Sequence, residues 1–262
     1  MDKLEHLSVI KVSGDDAGEF LQGQMTQDIR ALEDGKIHMT SFCNVQGRVI
    51  ASAFIQCEND HYDLILSSEL ADDLKNHLQR YILRSKVTIE KSEEMVFGIF
   101  KKDNVSDQQF FKPLSNDLER MLILANQAPE NIDNFITSEE WIQCDINKMI
   151  PIITKESSVK FIPQMLNLDI LDAVSFSKGC YTGQEVIARV QHRGKAKQRL
   201  YRIEAQTDKL FTPKDEIEQM GNKVGNVVIS SLSENICDGL GVIKISAAGE
   251  NLSIKGAELK IK

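Results

Sequence analysis

Apolar and polar positions alternate in patterns that predict both helices and strands in the first part of the chain. Residues 13–34 are predicted to be helical, because Ser13 can cap a helix and acidic residues occupy its first turn. Residues 38–45 and 48–57 have strand-like composition, and the short Gln-Gly turn between them predicts a β-hairpin. A further strand is predicted at residues 62–66. The pattern therefore indicates a mixture of helix and antiparallel sheet.

Leucines at helical spacing predict a second helix. Leu70, Leu74 and Leu78 recur along one face after Ser68, which can cap the helix. A third helix is predicted at residues 138–147. Shorter extended runs are predicted at residues 87–89, 96–100, 121–124 and 150–153.

After about residue 198, short strand-like runs alternate with Gly, Asn and Asp. This pattern predicts a small antiparallel barrel or sandwich at the C-terminus. The runs are residues 199–205, 223–231, 239–246 and 258–262. The Gly194 region is the predicted boundary, so the chain is expected to divide into residues 1–194 and 195–262.

The composition is that of an ordinary globular protein, with 42% hydrophobic and 27% charged residues among 262. The N-terminus shows no secretory signal and no apolar run approaches membrane-spanning length, so a cytoplasmic location without membrane contact is expected. The five cysteines are widely spaced and form no Cys-x-x-Cys pair. This spacing argues against a zinc site, a local iron–sulfur ligand set and a disulfide framework, so no metal site is predicted.

Charge is distributed unevenly along this acidic chain, whose formal net charge is −8. Residues 186–203, here called the basic strip, contain six cations and no acid. The cations are Arg189, Arg193, Lys195, Lys197, Arg199 and Arg202. A basic strip in an acidic protein suits a focused anionic ligand better than nonspecific coating of nucleic acid, although a solvated surface loop has the same composition.

The segment Lys178–Glu185, KGCYTGQE, places a lone thiol just before a predicted helix. Thr182 and Glu185 have the spacing of a capping box. Cys180 is therefore predicted to lie near the positive end of a helix dipole and near Lys178, and both features favour the thiolate. The alternative is a buried structural cysteine. A catalytic pair of Cys180 with His192 has only weak support, because the two are distant in sequence.

The octapeptide resembles the signature of the YgfZ family of folate-binding proteins, which are relatives of the glycine-cleavage aminomethyltransferase, or T-protein. The resemblance continues in FLQGQ at 20–24, followed by Thr26 and Asp28. It also includes CNVQGR at 43–48, and it covers roughly residues 8–100 and 138–203. Two more matching elements are YILRSKV at 81–87 and FIPQ with a following Asn-Leu at 161–168.

The resemblance implies an α+β, ring-like three-subdomain aminomethyltransferase (T-protein)-like fold with a C-terminal antiparallel β-barrel. Residues 1–194 would form two intertwined α+β subdomains around a folate site, and residues 195–262 would form the barrel. It further implies a tetrahydrofolate-binding accessory protein that acts in assembly or repair of iron–sulfur enzymes and thereby affects tRNA modification. Iron–sulfur client enzymes are the implied partners, and the protein is expected to be a monomer.

The resemblance also assigns roles to residues. Cys180 matches the family's functional thiol, with Lys178 beside it, and Trp141 matches a tryptophan that contacts the pterin ring. A lone tryptophan is also commonly a core residue. Leu7 falls where the family has a second tryptophan. The other residues expected to contact folate are Gln24, Asn44, Arg48, Tyr181, Gln184, Glu185 and Arg193, and the basic strip is expected to hold the anionic glutamate tail.

Two other functions compete with this interpretation. A tetrahydrofolate-dependent aminomethyl or methyl transferase is the first, but T-proteins use an acidic residue near the folate and lack the octapeptide. Here no carboxylate lies between Thr40 and Val49. An RNA-binding module that uses the basic strip is the second, and the acidic remainder with few aromatic residues argues against it. Direct contact with tRNA is therefore not expected.

Overall fold

In the part of the chain that the structure describes, two antiparallel sheets, a closed barrel and four helices form the fold. The computed structural model describes residues 2–33, 35–58, 60–101, 112–130, 132, 134–194 and 196–262, and for Arg193 it describes the backbone alone. No helix within these ranges is both long and apolar enough to cross a membrane.

The first sheet has five strands in the order β2-β3-β4-β1-β5, all paired antiparallel. Its strands are β1 (Leu7–Ser13), β2 (His38–Cys43), β3 (Val49–Cys57), β4 (His61–Ser67) and β5 (Thr88–Lys91). Its helices are α1 (Ala17–Gln22) and α2 (Ala71–Gln79). The predicted β2–β3 hairpin is confirmed, and all six residues of β2 are buried.

The second sheet has three strands in the order β6-β8-β7 and is followed by α3. The elements are β6 (Met95–Phe100), β7 (Lys112–Leu114), β8 (Asp117–Ala125) and α3 (Ser138–Asn147). Helix α3 begins where predicted because Thr137 and Glu140 form a complete capping box: Glu140 N–H donates to Thr137 Oγ1 at 3.2 Å and Thr137 N–H donates to Glu140 Oε2 at 2.9 Å.

The C-terminal strands close into a six-stranded antiparallel barrel, which confirms the predicted barrel. Helix α4 (Gln184–Arg193) precedes the barrel, whose strand order is β10-β11-β12-β9-β14-β13. The strands are β9 (Gln198–Gln206), β10 (Glu216–Gln219), β11 (Asn222–Ser233), β12 (Ile236–Lys244), β13 (Leu252–Ile254) and β14 (Ala257–Ile261). The barrel has its own core, and Leu200, Leu240 and Val242 join it to the main core.

The long helix predicted at residues 13–34 is wrong. Ser13 ends β1, where it pairs with His61 and Thr88 in the first sheet. Helix α1 then covers only Ala17–Gln22 and stops at Gly23. Beyond it, the Gln22 side chain binds Asp28 Oδ1 at 2.9 Å and the Ile29 N–H at 2.9 Å, which holds a tight turn in place of further helix.

Candidate functional site

The octapeptide loop, residues 178–185, is fastened to the N-terminal FLQGQ element, so two segments about 150 positions apart meet. Lys178 Nζ donates to the carbonyl oxygens of Met25 at 2.9 Å and Gln27 at 2.8 Å. The Thr182 N–H donates to the Gly23 carbonyl at 3.1 Å. These bonds anchor both ends of the thiol-bearing turn to one segment.

The segment at residues 173–175, which leads into the loop, is held by Thr26, which is completely buried. Its hydroxyl donates to the Ala173 carbonyl at 2.7 Å, and its own carbonyl accepts from the Ser175 N–H at 2.9 Å. The Thr26 Oγ1 also accepts from the Ser41 N–H at 3.0 Å, which ties the assembly to strand β2. Sequence reasoning matched Thr26 to the family but assigned it no role; its burial and three partners make it a positioning residue.

Two glycines allow the octapeptide to touch the β2–β3 turn backbone to backbone. Gly183 has φ +84°, and a Cβ there would lie 2.5 Å from the Asn44 carbonyl oxygen. Gly47 has φ +69°, and its Cβ would lie 2.9 Å from Cβ of Val186. Since a positive φ is favourable chiefly for glycine, both positions require this residue on conformational and steric grounds. The hairpin and the thiol loop therefore form one unit.

Within the octapeptide two side chains are buried and the thiol is exposed. Lys178 and Tyr181 are buried at 7% exposure each, whereas Cys180 is exposed. The Lys178 ammonium lies 5.1 Å from the centroid of the Tyr181 ring, a cation–π contact within the octapeptide. Of the five cysteines, all within the described part of the chain, Cys180 alone is classed as exposed. The loop thus presents one accessible thiol on an anchored base.

Burial shifts the pKa values of two octapeptide side chains and of the neighbouring Cys43. It lowers the pKa of Lys178 to about 8, a shift that the charge of Asp28 opposes in part. It raises the pKa of Tyr181, with a further contribution from Cys43. It also raises the pKa of the Cys43 thiol to about 12. Lys178 is held by two carbonyls, so it is a positioning residue in this arrangement and does not face solvent.

The predicted capping box at the start of α4 is wrong. The helix begins at Gln184 with Gly183 at its N-cap, and no side chain caps it. The Thr182 hydroxyl instead donates to Gln24 Oε1 at 3.3 Å, and Glu185 is exposed. The cap moves by one residue because the glycine takes up the positive φ that brings it against the hairpin. Cys180 consequently lies four residues before the helix.

Asn44 and Arg48, which were predicted to contact folate, lie near the loop but bind backbone groups of the protein. Asn44 Oδ1 accepts from the N–H groups of Gln46 and Arg48, both at 3.0 Å, and so stabilises its own turn. Arg48 Nη1 donates to the Lys160 carbonyl at 2.5 Å. Gln24 and Gln184 are half-buried beside the loop. The Arg193 side chain lies outside the described residues.

Trp141 lies in the core and offers no stacking face in this structure. It is 0% exposed, and the Arg120 guanidinium carbon lies 4.3 Å from the ring centroid on one side. On another side Gly98 is so close that a Cβ there would lie 2.6 Å from the ring. The predicted pterin contact by Trp141 is therefore not supported, and the core interpretation holds. Leu7 is also buried, in strand β1.

The basic strip is not a continuous cationic surface. Arg199 forms a bidentate ion pair with Asp169, with distances of 2.6 and 3.0 Å. Arg202 forms another with Asp238, at 2.6 and 3.0 Å. Arg189 and Lys197 are exposed, and Lys195 lies outside the described residues. Two of the six cations are thus neutralised by acids distant in sequence, which a reading of the strip alone missed.

Comparison with known proteins identifies relatives for this arrangement. The family model of the GCVT N-terminal domain matches residues 2–99. A tRNA-modifying protein YgfZ from Colwellia psychrerythraea is 29% identical over 257 residues, covering 86% of this chain and 79% of its relative. The tRNA-modifying protein YgfZ of Buchnera aphidicola subsp. Schizaphis graminum is 32% identical over 226 residues, covering 76% of this chain and 71% of its relative.

A solved structure shares the fold. The glycine cleavage system aminomethyltransferase T from Bartonella henselae superposes with a TM-score of 0.72 at 12% identity, and the match covers 99% of this chain and 83% of that one. This likeness confirms the predicted aminomethyltransferase-like α+β fold with its C-terminal barrel. By sequence, the chain belongs to the YgfZ family of tRNA-modifying proteins.

Proposed function

We propose that this protein is a tetrahydrofolate-binding accessory protein that supports assembly or repair of iron–sulfur enzymes, and through them tRNA modification. Cys180 is its functional thiol. The observation that carries the proposal is the anchored octapeptide, in which buried Lys178 and Tyr181 hold Cys180 at the surface. A structural cysteine would be expected in the core, as Cys43 and Cys237 are.

The residues around the loop fit the polar part of a folate. A pterin edge carries hydrogen-bond donors and acceptors, and the half-buried amides of Gln24 and Gln184 offer both kinds of group beside Cys180. Tetrahydrofolate would supply a carrier for one-carbon units. Because Trp141 is enclosed, the flat faces of the ring would rest on the backbone of the glycine-containing loop, where Gly179 has no atom within 4 Å of its Cβ position.

An exposed thiol on a rigid loop can attack an electrophilic carbon or a disulfide sulfur once it is deprotonated. The bonds from Lys178 to two carbonyls keep the loop in one conformation, so the sulfur is held in place before any partner arrives. Client iron–sulfur enzymes are the proposed partners of this thiol. The surface of the loop remains open to a second protein because Gly179, Cys180 and Glu185 are exposed.

The experiment pairs binding with complementation. Calorimetric titration with tetrahydrofolate is expected to show binding to the wild type and to Cys180→Ser, because the substitution keeps the loop's anchors. In a deletion strain, Cys180→Ser is expected to fail to restore iron–sulfur enzyme activity, whereas Cys144→Ser, a partly buried control on α3, restores it.

Absence of heat with millimolar tetrahydrofolate removes the folate assignment. Full complementation by Cys180→Ser removes the thiol assignment. Multiple turnovers of a one-carbon donor by the purified protein would replace the accessory role by the transferase alternative. The hairpin does not favour that alternative, because it carries Asn44 and Arg48 where a transferase is expected to carry a carboxylate.

A further inference from the structure

A cleft of about 710 Å³ separates the β2–β3 turn from the C-terminal barrel. One wall carries Arg48 and the following segment carries Lys160, while the barrel side carries Lys214 and Lys223. Four cations therefore line one cavity of a chain whose net charge is −8. These are not the cations of the basic strip, and they come from three separate parts of the sequence.

Two of these cations are held in place by carbonyl oxygens. Arg48 Nη1 donates to the Lys160 carbonyl at 2.5 Å, and Lys160 Nζ donates to the Pro213 carbonyl at 2.8 Å. Among the described residues, neither forms an ion pair with a carboxylate. A carbonyl fixes the position of a cation without neutralising it, so both remain able to bind an anion.

The other two cations have exchangeable partners. Lys214 Nζ lies 2.5 Å from Glu156 Oε1, and Lys223 Nζ lies 2.5 Å from Glu216 Oε1. The lysine side chains are 74% and 51% exposed, and exposed ion pairs of this kind contribute little stability. An anionic ligand can therefore take over Lys214 at small cost, because Glu156 does not line the cleft, whereas Glu216 does line it and makes Lys223 the weaker contributor. The amides of Gln198 and Asn226 complete a polar lining.

We propose that this cleft binds a small oligoanion, a ligand with two or more successive carboxylate or phosphate groups. The cations lie on opposite walls, so a ligand with several charges engages more of them than a single anion does. The volume of the cleft suits a small molecule, and the acidic remainder of the surface opposes a long nucleic acid.

The β2–β3 turn lines the cleft and also contacts the thiol loop. Gly47, in the turn that bears Arg48, contacts Gly183 of the octapeptide. One source of such an oligoanion is the γ-linked polyglutamate tail of a folate bound at the loop. This assignment of the ligand rests on the proposed function. An oligophosphate is the other source of the same chemistry, and it does not depend on folate binding.

The test titrates the full-length protein with tripolyphosphate and with a γ-linked triglutamate peptide at low ionic strength. At least one is expected to bind, and the heat should decrease with added salt. Arg48→Gln and Lys160→Gln are each expected to weaken binding about tenfold, since each removes a hydrogen bond from a charged group. Lys91→Gln, which removes a surface lysine paired with Asp72 outside the cleft, should leave binding unchanged.

Lys214→Gln is a second test in case the Arg48 variant misfolds, because the Lys214 side chain is mostly exposed and its loss should not disturb folding. We expect Lys214→Gln to weaken anion binding severalfold. A preference for triglutamate identifies the folate tail as the source, and a preference for tripolyphosphate identifies a phosphate ligand. Binding of either anion without binding of tetrahydrofolate monoglutamate supports the cleft and removes only the folate proposal. Absence of binding, equal binding by all variants, or binding of tRNA alone overturns the inference.

Discussion

Gly183→Ala tests the contact between the octapeptide and the hairpin. The glycine has φ +84°, which costs about 1–2 kcal/mol for a residue with a Cβ. The added Cβ would also lie 2.5 Å from the Asn44 carbonyl oxygen and 3.0 Å from Cα of Gly47, both backbone atoms that cannot rotate away. Such overpacking costs a further ~1–3 kcal/mol. We expect the free energy of unfolding to fall by about 2–5 kcal/mol.

Gly179→Ala is the matched control within the same octapeptide. Gly179 is exposed, and a Cβ there meets no atom within 4 Å. Its free energy of unfolding, measured by urea denaturation with circular dichroism, should stay within ~0.5 kcal/mol of the wild type. Equal stability of the two alanine variants would refute the claim that the thiol loop and the hairpin form one close-packed unit.

Three further predictions concern buried groups. Lys178→Met leaves two carbonyls without their donor and should cost about 1–3 kcal/mol of unfolding free energy. Burial lowers the pKa of Lys178 from 10.5 to about 8, so between these pH values the unfolded chain binds more protons than the folded one. Urea titrations should therefore show that the free energy of unfolding of the wild type rises with pH across this window. The Lys178→Met variant should lack this rise. Burial raises the pKa of Asp145 from 3.8 to about 7, so the folded chain binds more protons than the unfolded one between these pH values and the free energy of unfolding falls as pH rises. The Asp145→Asn variant should show a smaller fall over the same pH interval. Trp141 should resist iodide quenching in the native state and lose this protection in urea.

Local patterns predicted the elements whose boundaries are set by local interactions. The β2–β3 hairpin follows its turn, and α3 follows a capping box that is complete in the structure. The helix predicted at residues 13–34 failed because its first residue pairs with strands β4 and β5, which lie about 50 and 75 positions later. Strand pairing overrode a helical start signal there.

The candidate site shows the same difference between features set by local sequence and features set by distant segments. The octapeptide was located from sequence by resemblance, and its exposed thiol agrees with the proposed role. The partners that enclose Trp141 and neutralise Arg199 come from distant segments, namely Arg120 with Gly98, and Asp169. No local pattern reports such neighbours. Nor does a local pattern reveal that Thr182 binds Gln24, so that Gly183 takes the N-cap position and the helix begins at Gln184.

The most direct test of the account is the labelling rate of Cys180 with and without tetrahydrofolate. Iodoacetamide modification of the native protein, mapped by mass spectrometry, should reach Cys180 well before the buried Cys43 and Cys237. Saturating tetrahydrofolate should slow labelling of Cys180 and leave the slow labelling of the buried cysteines unchanged. Labelling of Cys180 only after denaturation, or at a rate that saturating tetrahydrofolate does not alter, would contradict a functional thiol beside a folate site.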